Sequence, residues 1–404
     1  MTDEEYASDE DIAADVLPAA VDEDAVPLPL DRLFPWHKPR KQFIRANQWI
    51  QHSERLLQKL KGTPFLQEGP SGKPEVKYLT LPGTDYLDVR ALSECCGELG
   101  IHLTSTGFLE GGESNPMRAR AQFREESLKQ AGHITDRSIT FARRFEDISS
   151  LNGQAYQEIR RRGPFHIINV DACGSIASPS AEHASRLIDA IYRMVELQFE
   201  LCSSRWLLFL TADVRVENIS TGTMNSLAKA IKENAQHNEE FKNDAIELLS
   251  APDKSETVAD AIDLASQKTG ESFIKLFALG FSKWVLHLAK SKNWQLKMHR
   301  SYYYSTTSQS NIKPSMPCMA FEFLPPIPAL EDRFDAVNAA PRTQGDGEDL
   351  SMRALKKVAE MEDLDKLMSS DMSLRDDMIA ATKALLEDAG YAASTLAKLD
   401  SAWE

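Results

Sequence analysis

The sequence predicts an α/β fold: a mostly parallel seven-stranded sheet with a terminal antiparallel hairpin, and helical additions at both ends. Two patterns and the length carry that expectation. Short apolar runs ("VKYLTLPG", "IHLTSTGF", "FHIINV", "WLLFLTADV") alternate with amphipathic helical stretches, and such alternation builds a parallel sheet with helices on both faces. "LKMHRSYYYSTT" and "MAFEFLP" flank the turn-rich "SQSNIKPSMP" and read as a hairpin closing the sheet. A chain of 404 residues with 42% hydrophobic content has room for such a domain with insertions.

Taken in order, residues 1–30 hold many acids and no Lys or Arg; they lack the apolar surface that offsets ordering and read as a disordered acidic tail. A helical, basic segment at 31–73 follows, with Phe43, Ile44, Ile50, Leu56, Leu57 and Leu60 mostly on one face. The α/β domain is expected over 74–326. Its first helix, "DYLDVRALSECCGELG", closes on Gly100 as a C-cap. The next, "MRARAQFREESLKQAG", also stops at a glycine, and "RSITFARRFEDI" holds the third strand. "LNGQAYQEIRRRG" is helical; the helix after the fourth strand starts at Ser178 and Pro179, an N-cap followed by proline at its first position. A helical insertion occupies about 222–290, a polar linker 327–349, and amphipathic helices 350–404. That last segment is expected to be a separable appendage, so a chain ending near residue 338 should stay folded.

Composition excludes several classes. A net charge of −15 speaks against a general nucleic-acid coat, though not against a local basic site. The five cysteines contain no CxxC pair, so neither a zinc site nor a disulfide framework is expected and a reduced, cytoplasmic setting fits best. The acidic start is unlike a signal segment. The apolar run at 273–289 carries Lys275, Lys283 and His287 and reads as a buried helix rather than a membrane span.

Five alternating strands followed by helices and a terminal hairpin resemble class I S-adenosylmethionine-dependent methyltransferases, a Rossmann-like fold; the resemblance covers roughly 74–326. "PWHKPRKQ", "PGTDYLDVR" and "INVDACGS" also look like a bacterial methyltransferase-like family associated with mobile and defence islands. The resemblance implies S-adenosylmethionine over the first strand's turn, at Gly83 and Asp85. This turn has one glycine where those enzymes usually show two or three. It further implies an acid for the ribose hydroxyls, for which Glu110 and Glu113 are candidates set slightly late, and Asp147 near the adenine. Turn geometry and a helix-start acid explain Gly83 and Asp147 equally well.

Asp171 is the catalytic candidate, because it ends an apolar strand at the sheet's carboxyl edge, where ligands bind in open α/β sheets. A turn-capping role is its rival. The turn "DACG" lacks both the Pro-Pro-aromatic of amino methyltransferases and the Pro-Cys of cytosine enzymes, so Cys173 is a poor nucleophile. Lys38, Arg40, Lys41 and Arg45, interleaved with Trp36, Phe43 and Trp49, are candidates for nucleic-acid contact, against the simpler reading of a helix with solvated charges. "RRR" at 160–162 complements a helix end. Two functions stand: a methyltransferase-like protein binding S-adenosylmethionine or a related nucleoside within a multigene, phage-defence system, and an inactive scaffold or sensor on the same fold that binds protein or nucleic acid.

Overall fold

The computed structural model describes residues 33–109, 116–176, 186–250, 255–267, 269–305, 313–326 and 350–400. The acidic tail and the linker lie outside them. Strands β1 (Glu75–Thr80), β2 (His102–Phe108), β3 (Ile139–Phe141), β4 (Ile167–Ser175) and β5 (Trp206–Asp213) pair in parallel in the order 3-2-1-4-5, the doubly wound arrangement. β8 (Met316–Leu324) adds to β5 antiparallel, setting Trp206 opposite Phe323.

Among the described residues the sheet has nine strands rather than seven. The first arm of the expected hairpin is broken into β6 (Gln295–Met298) and β7 (Tyr302–Tyr304), both paired with β8. A ninth strand, β9 (Glu362–Asp363), comes from the C-terminal segment and runs parallel to β7. The expected separable appendage is therefore built into the sheet. Leu364 and Met368 follow β9 into the same core as Tyr302 and Tyr304.

Central strands are apolar on both faces, as parallel strands under helices must be. Ile168, Val170, Leu208 and Leu210 enter one core with the helix Leu187–Leu201 and the insertion, whose last helix is Glu271–Ser291. Ile167, Leu207 and Phe209 enter the other, beneath the helix Leu87–Glu98 and the N-terminal helix. By length and composition Glu271–Ser291 could cross a membrane, but 72% of its apolar window is buried inside the fold.

The N-terminal helix runs from Pro39–Ile44 through a π-helical stretch, Arg45–Ile50, into Gln51–Leu60. Its apolar face lies where the periodicity put it. Its polar start reaches the carboxyl edge of the sheet.

Candidate functional site

The carboxyl turn of β1 is made by residues 81–86. Gly83 takes φ +61° with open space where a Cβ would stand, so a backbone approach is available there. Asp85 is not available. It is 1% exposed, and its Oδ1 accepts from Arg120 Nε at 3.0 Å and Nη2 at 2.7 Å. Its Oδ2 accepts from the Tyr391 hydroxyl at 2.9 Å, from Thr84 at 3.2 Å and from His37 Nε2 at 3.1 Å.

The Phe34 amide donates to His37 Nδ1 at 3.2 Å, so Nδ1 is an acceptor and the proton sits on Nε2, facing Asp85. Burial pushes the His37 pKa below its usual range, outweighing the pull of Asp85. Asp85 goes well below the carboxylate range: its hydrogen bonds and the Arg120 charge overcome a burial effect that alone would raise it. A neutral imidazole thus donates to an ionised carboxylate that Arg120 neutralises. Five donors from four chain segments saturate Asp85.

At β4 the strand does not stop at Asp171. It runs on to Ser175, with a break in register between those residues, a bulge that bends the strand. Asp171 accepts a hydrogen bond within an ion pair from Lys41, on the first turn of the N-terminal helix. Lys41 is 4% exposed at the side chain and Asp171 17%. Burial opposes the Lys41 charge, but the field and hydrogen bond of Asp171, together with Tyr304 and Cys318, outweigh it and raise the pKa. The Lys41 ammonium also lies 4.9 Å from the Trp49 ring centre, within cation–π reach.

The other expected nucleic-acid contacts turn inward too. Arg40 pairs with Asp365 of the C-terminal segment. Arg45, 3% exposed, donates to Gln42 Oε1 at 2.7 Å and to the Trp36 carbonyl at 3.3 Å. Lys38 is half-buried. The amphipathic pattern located the helix but not these cations: half-buried carboxylates 130 and 325 residues away draw Lys41 and Arg40 off the surface. Among the described residues Arg40, Lys41 and Arg45 place their charges on internal partners.

Beneath Lys41 and Arg45 lies a buried polar layer. Asp88 Oδ2 accepts from the Tyr78 hydroxyl at 2.7 Å and from Thr80 at 2.5 Å. Asn169 Nδ2 donates to the Tyr78 oxygen at 3.0 Å. Burial raises the Asp88 pKa, against the hydrogen bonds and the Arg45 charge that lower it. Asp88 stood beside Asp85 in the sequence; Tyr78 and Asn169 gave no signal, being polar residues within apolar strands.

Of the remaining candidates, Asp147 is exposed on the short 3-10 helix Phe145–Ser149, apart from the ion pairs above. Glu110 and Glu113 lie outside the described residues, as does the Cys173 side chain. Two surface concavities are lined by Gln157, Glu158, Arg160 and Arg161, and by residues of the helix Thr221–His237. Neither touches the carboxyl turns. Tested against S-adenosylmethionine, the described residues offer Gly83 and Asp147 but withhold Asp85 and Asp171. They do not make a complete cradle.

The strand order with its antiparallel addition defines a doubly wound α/β protein. Within that class the chain belongs to the PP_RS20740-like family, whose profile matches residues 30–401. No curated protein matches it. Among solved structures it is similar to an rRNA methylase from Streptococcus thermophilus, at 8% identity and a TM-score of 0.31 over 69% of this chain and 97% of that one. It is also similar to a Listeria monocytogenes protein provisionally assigned to the class I S-adenosylmethionine-dependent methyltransferases. Identity there is 9% and the TM-score 0.32, over 76% of this chain and 65% of that one.

Proposed function

We propose that this protein is a non-catalytic binding module, a sensor or scaffold built on a methyltransferase fold. One observation carries the proposal: Asp85 and Asp171, the two described acids at the crevice that a cofactor or a target would need, are bonded by the chain's own His37, Arg120, Tyr391 and Lys41. Freeing either acid would leave a buried cation or imidazole without its partner, which costs more than a typical ligand hydrogen bond returns. Its place in a multigene defence system is part of the same proposal and rests on the sequence resemblance.

A second reading, that the crevice takes S-adenosylmethionine, is favoured by Gly83, whose left-handed backbone and clear surroundings suit a backbone approach. Calorimetry of the full chain with S-adenosylmethionine separates the two. The binding-module reading expects no saturable heat. Saturable heat that disappears in Asp147→Ala, a surface change that leaves the fold intact, or in Gly83→Val, overturns it.

A further inference from the structure

Arg45 is the unusual group in this molecule. A buried guanidinium ordinarily faces a carboxylate, because an unpaired interior charge is expensive. Arg45 is 3% exposed, yet among the described residues its bonds go to a neutral amide and a backbone carbonyl, and its Nε has no partner. The two acids whose fields reach it, Asp88 and Asp171, are bonded to Tyr78 and Thr80 and to Lys41 respectively.

Among the described residues further buried side chains on this face of the sheet carry unpartnered polar atoms, among them Trp49, and Asn169, which is the register partner of Thr80 and stands two residues before Asp171. The Trp49 ring centre is 6.0 Å from the guanidinium carbon, and its Nε1 has no acceptor; Asn169, 1% exposed, has a free Oδ1 although its Nδ2 is bonded to Tyr78. Buried polar groups in folded proteins are nearly always satisfied. Arg45 also opens the π-helical stretch, a distortion frequent at functional sites. The place is the junction of β1 and β4, where the strand order reverses direction and where doubly wound folds bind ligands.

We propose that Arg45, Trp49 and Asn169 form a binding site for a compact protonated oxyanion, with hydrogen phosphate as the type. The proposal deepens the sensor reading and rests on it. Anion oxygens accept from Arg45 Nε and Trp49 Nε1, and the acid hydroxyl of the oxyanion donates to Asn169 Oδ1. The donor–acceptor set thus asks for an anion that keeps a proton, which sulfate at neutral pH lacks. Arg45, Trp49 and Asn169 are all buried, and Asp171, 17% exposed at its side chain, is the more accessible neighbour. Among the described residues Asp171 is bonded to Lys41 and Asp88 to Tyr78 and Thr80, so neither carboxylate bonds Arg45 directly.

Thermal melting of the full chain in a phosphate-free buffer, titrated with inorganic phosphate or with sulfate at matched ionic strength, tests this. Phosphate is expected to raise the wild-type Tm by several degrees and saturably, and sulfate to act weakly. Arg45→Gln is expected to melt at or above wild type without phosphate, since it removes an unpaired buried charge, and to lose the phosphate response. Equal rises with both anions in both proteins would be bulk salt action and overturn the site. So would a wild type that does not respond, or an Arg45→Gln that is less stable by the same amount in every buffer and so marks Arg45 as a brace for Trp36 and Gln42. If Arg45→Gln does not fold, Asn169→Ala should erase the preference for phosphate over sulfate; a preference that persists refutes the assignment. S-adenosylmethionine binding dependent on Gly83 would defeat the non-catalytic reading while leaving the phosphate result standing, so the two failures are distinguishable.

Discussion

Asp171 and Lys41 show how far one residue can be read from a sequence. An acid next to an apolar strand at the carboxyl edge was visible; its cation, 130 residues earlier, was not, because no local pattern encodes a contact between a helix start and a strand. The pair sets the prediction for Asp171→Asn. Removing the charge leaves Lys41 buried without a counter-ion, and breaking such a pair costs about 3 kcal/mol or more. A lower denaturation midpoint is expected, whereas Lys41→Met combined with Asp171→Leu should recover much of the loss. An Asp171→Asn protein as stable as wild type would show the pair to be unimportant. Tyr391→Phe is the milder counterpart at Asp85: it removes one hydrogen bond to an ionised carboxylate and should cost about 2 kcal/mol, read as a shift in chemical denaturation with an unchanged slope.

Among elements, the C-terminal segment departs most from expectation. Its helices were legible as amphipathic, but an amphipathic face only says that something is covered, not what. Here β9 extends the sheet, Arg40 reaches Asp365, and Tyr391 closes over Asp85. A chain ending near residue 338 is now predicted to lose cooperative unfolding or to aggregate, reversing the sequence-based expectation; a soluble truncation with a sharp melt at the wild-type temperature would restore it. The helical insertion has its own marker. At Gly280, midway along Glu271–Ser291, a Cβ would stand 2.6 Å from Leu227 Cβ, so glycine is what lets the helix Thr221–His237 approach. Gly280→Ala gains about 1 kcal/mol of helix propensity but forces the two helices apart, and overpacking of this kind typically costs about 1–3 kcal/mol. A net fall in Tm is expected; a rise would mean the helices separate freely.

For the whole molecule, buried imidazoles set the response to acid. His52 stacks on His299 with ring centres 4.1 Å apart. Burial, then the neighbouring His299, Arg55 and Lys297 charges, push the His52 pKa down to about 3, with Glu322 opposing. His37 moves the same way. The fold thus accepts both rings neutral, while the unfolded chain protonates them near pH ~6.5. Their stabilisation is full above that value; that of His52 is lost as pH falls toward about 3, and that of His37 falls in the same direction. The depressed Asp85 contributes fully above about pH 4 and fades only below it. Urea midpoints should therefore drop between neutrality and pH 5, before the carboxylates titrate, and His52→Gln should flatten that slope; a midpoint constant over this interval would contradict the assignment. Periodicity alone determined the alternating strands and helices, the parallel core and the antiparallel closure, because they follow from the apolar repeat within each segment. Only the tertiary structure decided the site. It split the sixth strand, recruited a ninth, carried β4 past Asp171 and turned Arg40, Lys41 and Arg45 inward. Each of those outcomes depends on partners from distant segments, and the balance between a solvated charge and a buried pair is settled only when those segments meet.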